Sequence, residues 1–166
     1  MTTTVTDPSQ APLEFSDQQV LPEWIDFNGH MNVAYYVMAF DHGVDGLTSY
    51  LDIGPEGIEA RGTSTFTLEM HTNYLQELHL DDPIRLTCQL LDYDSKRVHF
   101  FFNMHHTEED YLAATCEQLL LHVNLEERRS SPFPQSAVSK LETLMLLHRQ
   151  LPRPEKAGRS IGIRRR

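Results

Sequence analysis

The spacing of apolar and polar positions predicts one long helix in the first third of the chain. Asn32 is a favourable N-cap residue, because its side-chain oxygen can accept a hydrogen bond from a backbone N–H of the first turn. After it, apolar residues recur at intervals of three and four, as on one face of an α-helix; they are Val33, Tyr36, Val37, Phe40, Val44 and Leu47. We therefore predict a helix of about 18–19 residues that ends near Tyr50.

The pattern then changes from the helical period to the period of two that is typical of strands. Alternating apolar residues predict two strands, and these residues are Phe66, Leu68 and Met70, followed by Ile84, Leu86, Cys88 and Leu90. The segment Val98–Met104 is apolar on both faces and predicts a central strand, and residues 111–123 predict a fourth. A short strand is predicted at 15–20, and a short helix at 138–148 is closed by the prolines that follow it.

One long helix followed by a meander of four strands favours an α+β architecture in which a curved antiparallel sheet wraps around that helix. This arrangement is the hot-dog fold. The predicted organisation is a loose N-terminal segment at 1–12, a single domain at 13–148 and a basic C-terminal tail at 149–166. The chain contains no alternation of strands and helices and no G-x-G-x-x-G motif, which argues against a dinucleotide-binding sheet.

Charge is unevenly distributed along the 166 residues, whose formal net charge is −10. The last 18 residues carry seven cationic side chains and one carboxylate, which is +6, whereas residues 1–148 carry seven cationic and 23 acidic side chains, which is −16. An acidic body argues against nucleic acid as a partner. The tail is either solvated or in contact with an anionic ligand or a partner subunit. The chain has no apolar run of membrane-spanning length and no signal-like start, so we expect a cytoplasmic protein without membrane association.

The segment just before the long helix holds the densest group of polar side chains. Asp26, Gly29, His30 and Asn32 fall within seven positions and lead into a helix N-terminus. Free N–H groups and the helix dipole favour an anion there. A carboxylate beside such a site can attack a thioester carbonyl, or deliver water to it, while N–H groups near Met31 and Asn32 stabilise the oxyanion.

The motif Asp26-x-x-Gly29-His30-Met31-Asn32, followed by Tyr35-Tyr36, resembles the acyl-CoA thioesterases of the hot-dog superfamily, in the branch that includes 4-hydroxybenzoyl-CoA thioesterase. The resemblance implies that the loop aspartate is the nucleophile or general base, and that the site lies across a homodimer interface, with dimers often pairing into tetramers. Hydrolysis then needs water and no cofactor. The catalytic candidates are Asp26, His30 and Asn32, and the substrate-binding candidates are Trp24, Gly29, Met31, Tyr35 and Tyr36.

Within this superfamily, Glu23-Trp24-Ile25-Asp26 followed by Gly-His-Met-Asn is similar to the betainyl-CoA thioesterases of bacterial carnitine breakdown. A trimethylammonium acyl group favours aromatic faces, each contact contributing about 0.5–2 kcal/mol. The aromatic candidates are Trp24, Tyr35, Tyr36 and Tyr74, and each has the alternative of a place in the core or an interface.

Other polar residues leave alternatives open. Another hot-dog branch uses a helix carboxylate, which makes Asp41 a second acidic candidate. The nine histidines show no ligand spacing, so no metal is expected. Cys88 and Cys116 are predicted to be buried, inert thiols. The alternative functions are a non-catalytic acyl-CoA-binding protein and a hot-dog hydratase.

Overall fold

The computed structural model describes residues 3–163. The strands are β1 Leu13–Glu14, β2 Gln18–Gln19, β3 Thr63–Tyr74, β4 Pro83–Tyr93, β5 Arg97–His106, β6 Leu112–Asn124 and β7 Arg129–Ser130. The helices are a 3₁₀ turn at Pro22–Trp24, α1 Val33–Tyr50, α2 Pro55–Arg61 and α3 Gln135–His148. No helix within the described range is both long enough and apolar enough to cross a membrane.

All strands pair antiparallel in one sheet, whose main order is β1-β4-β5-β6-β3, with β2 also on β4 and β7 also on β6. The segment that is apolar on both faces is the central strand β5, in which Phe100, Phe101 and Phe102 are at most 2% exposed. Helix α1 packs on one face of this sheet, where the ring of Phe40 lies 6.1 Å from that of Phe102. The predicted α+β hot-dog architecture is confirmed.

One local prediction was wrong, and one short helix was not predicted. The expected strand at 15–20 is two short strands on β4, because the chain leaves the ladder at Ser16 and Asp17 while the Phe15 ring packs into the core. The helix that was not predicted is α2, which follows the end of α1. Proline is well suited to a first helical position because its missing N–H would have no helical partner there, and Gly62 ends the helix at φ +63°.

Residues 3–6, part of the segment predicted to be loose, lie against the domain. Val5 bridges Phe15, and the Thr6 N–H donates to the Glu14 carbonyl at 2.9 Å. Thr3 is only 1% exposed and its carbonyl approaches Gly46 of α1 so closely that a Cβ there would collide with it. These contacts are long-range, which is why the local composition did not reveal them.

Strand β3 forms one edge of the sheet, since it pairs only with β6 in the described part of the chain. Its pairing shifts register between Thr67 and Glu69. Around this bulge, Phe66, Leu68 and Met70 are 54%, 49% and 38% exposed. A single chain therefore presents an edge strand with apolar side chains, a surface that proteins normally cover or pair.

The close approach of α1 to the sheet gives a test of the packing. A Cβ on Gly43 would lie 2.8 Å from Leu86 Cδ1 and 3.0 Å from Phe102 Cε1, and both side chains are buried. We expect Gly43→Val to lower the free energy of unfolding by about 1–3 kcal/mol through overpacking, measured by urea denaturation. Asp41→Val, on the exposed part of the same helix, is the control and should change it by less than about 0.5 kcal/mol. Equal effects of the two changes would contradict this account.

Candidate active site

The loop that carries Asp26 is closed by its own backbone. Ile25 and Met31 form a β-bridge, and the Asp26 N–H donates to the His30 carbonyl at 3.0 Å. The Gly29 N–H donates back to the Asp26 carbonyl at 3.0 Å. Gly29 has φ +86°, a left-handed conformation that glycine adopts without the steric penalty of a Cβ. The glycine of the motif is therefore required by the turn itself.

The Asp26 carboxylate is oriented by the same loop. Its Oδ1 accepts a hydrogen bond from the Asn28 N–H at 2.7 Å. The residue is half-buried, and its Oδ2 has no hydrogen-bond partner among residues 3–163. One oxygen is thus held while the other keeps its lone pairs for a ligand or for water.

Two backbone hydrogen bonds hold the end of the loop, one to the distant Leu78 and one to Trp24 at the start of the same loop. The Met31 N–H donates to the Leu78 carbonyl at 2.7 Å, and the Asn32 N–H donates to the Trp24 carbonyl at 2.8 Å. Both amides that the sequence analysis assigned to the oxyanion are therefore already engaged. That assignment needs correction, because an N–H that is part of the protein's own hydrogen bonding cannot also point at a substrate oxygen.

The first turn of α1 leaves one amide available. Asn32 is the N-cap as predicted: its Oδ1 accepts from the Ala34 N–H at 3.0 Å, and its carbonyl accepts from the Tyr35 N–H at 2.9 Å. The Val33 N–H has no acceptor within residues 3–163. Since the positive end of the helix dipole lies here, Val33 presents the N–H best placed to meet a negative oxygen.

The His30 ring contacts the Glu77 carboxylate. Its Nε2 lies 3.5 Å from Glu77 Oε2, and its ring stands edge-on to His79 at 5.8 Å. Its hydrogen bond with Asp26 is through the backbone. The structure thus brings His30 and Glu77 together, and within the described residues no hydrogen bond or ion pair joins the His30 ring to the Asp26 carboxylate.

The predicted aromatic candidates divide into two pairs. Trp24 is only 3% exposed and stacks on Tyr35, with ring centroids 5.7 Å apart and an interplanar angle of 14°. Tyr36 and Tyr74 meet edge to face at 5.3 Å, and Tyr74 is 47% exposed. The Trp24 indole is thus covered by protein, whereas the second pair reaches the surface.

The Tyr36 hydroxyl forms two hydrogen bonds with the backbone of the β3–β4 connection. It accepts from the Leu78 N–H at 3.1 Å and donates to the Gln76 carbonyl at 3.4 Å. Burial raises the pKa of this phenol to about 12, so it stays neutral at physiological pH. The hydroxyl therefore ties α1 to the connection between β3 and β4.

An open depression of about 250 Å³ lies beside the start of α1. Its walls combine the helix start, the exposed tyrosine pair and the β3–β4 connection: Met31, Val33, Tyr36, Tyr74, Leu75, Gln76 and Glu77. Its ionisable groups among residues 3–163 are the two phenols and the Glu77 carboxylate, and no lysine, arginine or histidine of this range lines it. Asp26 and His30 do not line it in the single chain.

The residues from Gln76 to Leu78 had no sequence signal. They lie in a connection whose apolar and polar positions are not periodic. They reach the site because Leu78 is hydrogen-bonded to the Met31 N–H and to the Tyr36 hydroxyl at the start of α1. Tyr74 was named as an aromatic candidate, but nothing in the pattern placed it beside the helix start.

Other candidate groups lie apart from this site. Asp41 is exposed on α1 and does not line the depression. Burial raises the pKa of both free thiols, Cys88 and Cys116, which keeps them protonated and inert as nucleophiles. Across residues 3–163, no group of three or more His, Cys, Asp or Glu side chains is arranged to hold a metal ion.

Comparison with known proteins decides the family. The family model described as the thioesterase-like superfamily matches residues 20–141, which is most of the chain. The chain belongs to the thioesterase-like superfamily. The resemblance to hot-dog acyl-CoA thioesterases is therefore confirmed, and the chain is an enzyme of that class.

Individual members of the thioesterase-like superfamily are similar over nearly the whole chain. The betainyl-CoA thioesterase of Pseudomonas aeruginosa is 39% identical over 87% of this chain and 91% of its own. The L-carnitine dehydrogenase/betainyl-CoA thioesterase of Rhizobium meliloti is 35% identical over 95% of this chain, which spans 32% of that longer protein. A Staphylococcus aureus protein solved in complex with CoA has a TM-score of 0.85 and 31% identity, with 99% of this chain and 98% of that chain covered.

The contribution of the Tyr36 hydroxyl to the stability of this thioesterase can be tested by removing the hydroxyl. We expect Tyr36→Phe to lower the free energy of unfolding by about 1–3 kcal/mol, because the Leu78 N–H, on a fully buried residue, loses its acceptor. Chemical denaturation measures the change. Tyr74→Phe is the control: that hydroxyl donates to the Val33 carbonyl at 3.3 Å from an exposed side chain, and its loss should change stability by less than about 0.5 kcal/mol. If the two variants were equally stable, the hydroxyl of Tyr36 would make no such contribution.

Proposed function

We propose that the chain hydrolyses an acyl-CoA thioester to a free acid and CoA, with the Asp26 carboxylate and the Val33 N–H as its catalytic groups. The observation that carries this proposal is that one short segment holds both an oriented carboxylate, that of Asp26, and the Val33 N–H, which has no acceptor within residues 3–163. Membership of the thioesterase-like superfamily supports it, as does the complex of the Staphylococcus aureus relative with CoA.

The chemistry needs few groups because a thioester is already reactive. Either the carboxylate attacks the carbonyl carbon, or it takes a proton from a water that attacks; in both cases the carbonyl oxygen becomes negative. The Val33 N–H then donates to this oxygen, a contact that typically contributes a factor of about 10²–10³ to the rate. The C–S bond breaks, the thiolate leaves as CoA, and water supplies the oxygen of the acid. No cofactor takes part in these steps.

We further propose that the acyl group carries a quaternary ammonium, as in betainyl-CoA. The relatives that share 39% and 35% identity are named for betainyl-CoA thioesterase activity. The depression beside Val33 fits a cation, because its walls include Tyr36, the exposed Tyr74 and the Glu77 carboxylate. Tyrosine faces and a carboxylate both attract a trimethylammonium group. In this assignment Trp24 and Tyr35, which stack on each other, support the loop.

The complete site in this proposal contains two copies of the chain. Asp26 does not line the depression of a single chain, and the β3 edge exposes Phe66, Leu68 and Met70. Pairing of two β3 edges would cover this surface and bring a second chain beside the helix start. A homodimer, with tetramers as a further assembly, follows from the resemblance and is proposed on these observations. The cytoplasmic location stays a prediction.

Replacement of the loop carboxylate tests the catalytic assignment. Asp26→Asn keeps an oxygen for the Asn28 N–H, so we expect the variant to fold normally and to lose about 10²–10⁴-fold in kcat. The measurement is thiol release from a panel of acyl-CoA thioesters, with circular dichroism to verify folding. A variant with near-wild-type turnover would remove Asp26 from the mechanism.

Two controls separate this outcome from the alternatives. Asp41→Asn removes the exposed helix carboxylate and should leave kcat within about twofold, since surface changes away from the site have small effects. Wild-type protein that binds acyl-CoA without releasing thiol would be a binding protein, and loss of enoyl absorbance without thiol release would identify a hydratase.

The acyl preference is tested with two substrates of the same shape. Betainyl-CoA and 3,3-dimethylbutyryl-CoA differ by one nitrogen in place of carbon, and therefore by one positive charge. We expect Glu77→Gln to lower the ratio of their kcat/KM values about fivefold, the effect of one partly exposed charge pair of about 1 kcal/mol. Glu23→Gln, an exposed carboxylate outside the depression, should leave the ratio unchanged. A ratio that Glu77→Gln does not alter would contradict the assignment of the cation to this depression.

A further inference from the structure

The chain that follows α3 returns across the sheet. Phe101 of β5 is 2% exposed, and it lines one depression together with residues 151–156. Phe102, its neighbour, faces α1. Because successive strand side chains point to opposite faces, residues 151–156 lie on the face of the sheet that α1 does not occupy.

Two side chains of the sheet hold this segment in place. Gln89 Nε2 donates to the Pro152 carbonyl at 3.4 Å, and Glu117 Oε2 accepts from the Gly158 N–H at 2.7 Å. The other oxygen of Glu117 lies 2.7 Å from His99 Nε2. Gly158 has φ +72°, so a residue without a side chain turns the segment at its anchor point. The segment is therefore attached by specific contacts up to residue 158.

Beyond this anchor the segment forms a groove with the end of β3. We call it the tail groove; it has a volume of about 630 Å³ and lies between residues 71–75 and the segment that includes Lys156 and Arg159. Tyr74 and Leu75 line both the tail groove and the depression beside Val33. The two cavities thus adjoin, and His71 lies three residues before Tyr74, roughly 10 Å along a strand.

The tail groove is lined by two cations, Lys156 and Arg159, that form no ion pair within residues 3–163, although Arg159 also lines a second cavity with Glu69 and Glu117. Within residues 3–163 the lysine and arginine side chains that pair with carboxylates are Arg85, Arg97, Arg129 and Lys140. Lys156 and Arg159 form no ion pair in this range, although the first 148 residues carry a net charge of −16. Two half-buried cations beside one groove, in so acidic a chain, suit an anionic ligand.

We propose that the tail groove binds the phosphates of the nucleotide part of CoA, with Lys156 and Arg159 as the contacting residues. This inference rests on the proposed function, since it takes an acyl-CoA as the substrate. The thioester end then occupies the depression beside Val33, and the phosphates occupy the adjoining tail groove. The sequence continues with Arg164, Arg165 and Arg166, outside the described residues, which adds positive charge to the same end of the chain.

The double variant Lys156→Gln/Arg159→Gln tests this assignment through the difference between KM and kcat. For acyl-CoA we expect KM to rise about tenfold, as two partly exposed charge contacts contribute together, with kcat unchanged. For the same acyl group on N-acetylcysteamine, a thiol without the nucleotide, neither constant should change. The wild-type KM for acyl-CoA should increase with salt, because salt screens exposed charges, and the variant should show a weaker increase.

The matched control removes two other unpaired, exposed cations. Arg128→Gln/Arg149→Gln has the same change in net charge, and neither residue lines the tail groove. If this control raised KM as much as the double variant does, net charge would be the cause and the proposal would be wrong. A change in the oligomeric state of the Lys156→Gln/Arg159→Gln variant in light scattering, or a rise in KM for both substrates, would assign the segment to subunit packing instead.

A binding measurement keeps the test independent of the catalytic proposal. Adenosine 3′,5′-bisphosphate contains phosphates of the CoA nucleotide and no thioester. We expect it to bind wild-type protein and Asp26→Asn equally in calorimetry, and to bind Lys156→Gln/Arg159→Gln about tenfold more weakly. Equal binding to all three proteins would overturn the tail groove assignment, whatever the role of Asp26.

Discussion

Two backbone hydrogen bonds at the start of α1 determine the geometry of the site. The Met31 N–H donates to the Leu78 carbonyl and the Asn32 N–H to the Trp24 carbonyl, so both ends of the loop and the distant β3–β4 connection meet at one helix end. With Ala34 capped by the Asn32 side chain, the first turn offers the Val33 N–H alone among residues 31–34. In the proposed mechanism, the positive end of the helix dipole therefore acts on the substrate through this one N–H donor, whose position is set by buried neighbours.

The features that could be predicted from the sequence are those with local causes. Asn32 as N-cap follows from residue type, and the 3.6-residue period gave α1 within one residue of its observed start. The Asp26–Gly29 turn depends on contacts inside five residues. In contrast, the hydrogen bond of the Met31 N–H is made with Leu78, which is 47 positions away in the sequence. The β3–β4 connection has no periodic pattern from which this contact could be predicted. Long-range backbone pairing therefore decided which amide stays free.

The same distinction explains the aromatic residues. An apolar position on the helical period is expected to be buried, yet Val33 is 59% exposed because it lies in the wall of the open depression at the helix start. Trp24 and Tyr35 were ligand candidates from the motif resemblance and from their aromatic residue type, and the structure stacks them on each other. Which aromatic face meets solvent depends on the tertiary arrangement, and composition carries no information about it.

The two cavities beside β3 are lined by side chains of opposite charge. A betainyl-CoA has a cationic acyl end and a polyanionic nucleotide end, so one uniform surface potential cannot attract both. The cavities beside β3 differ in sign: Glu77 belongs to the depression at the helix start, and Lys156 and Arg159 belong to the tail groove. An acidic body alone would repel the phosphates. In the proposed complex, the segment anchored by Glu117 across the sheet would resolve this conflict, because it places cations beside an otherwise acidic domain and keeps them out of the depression at the helix start.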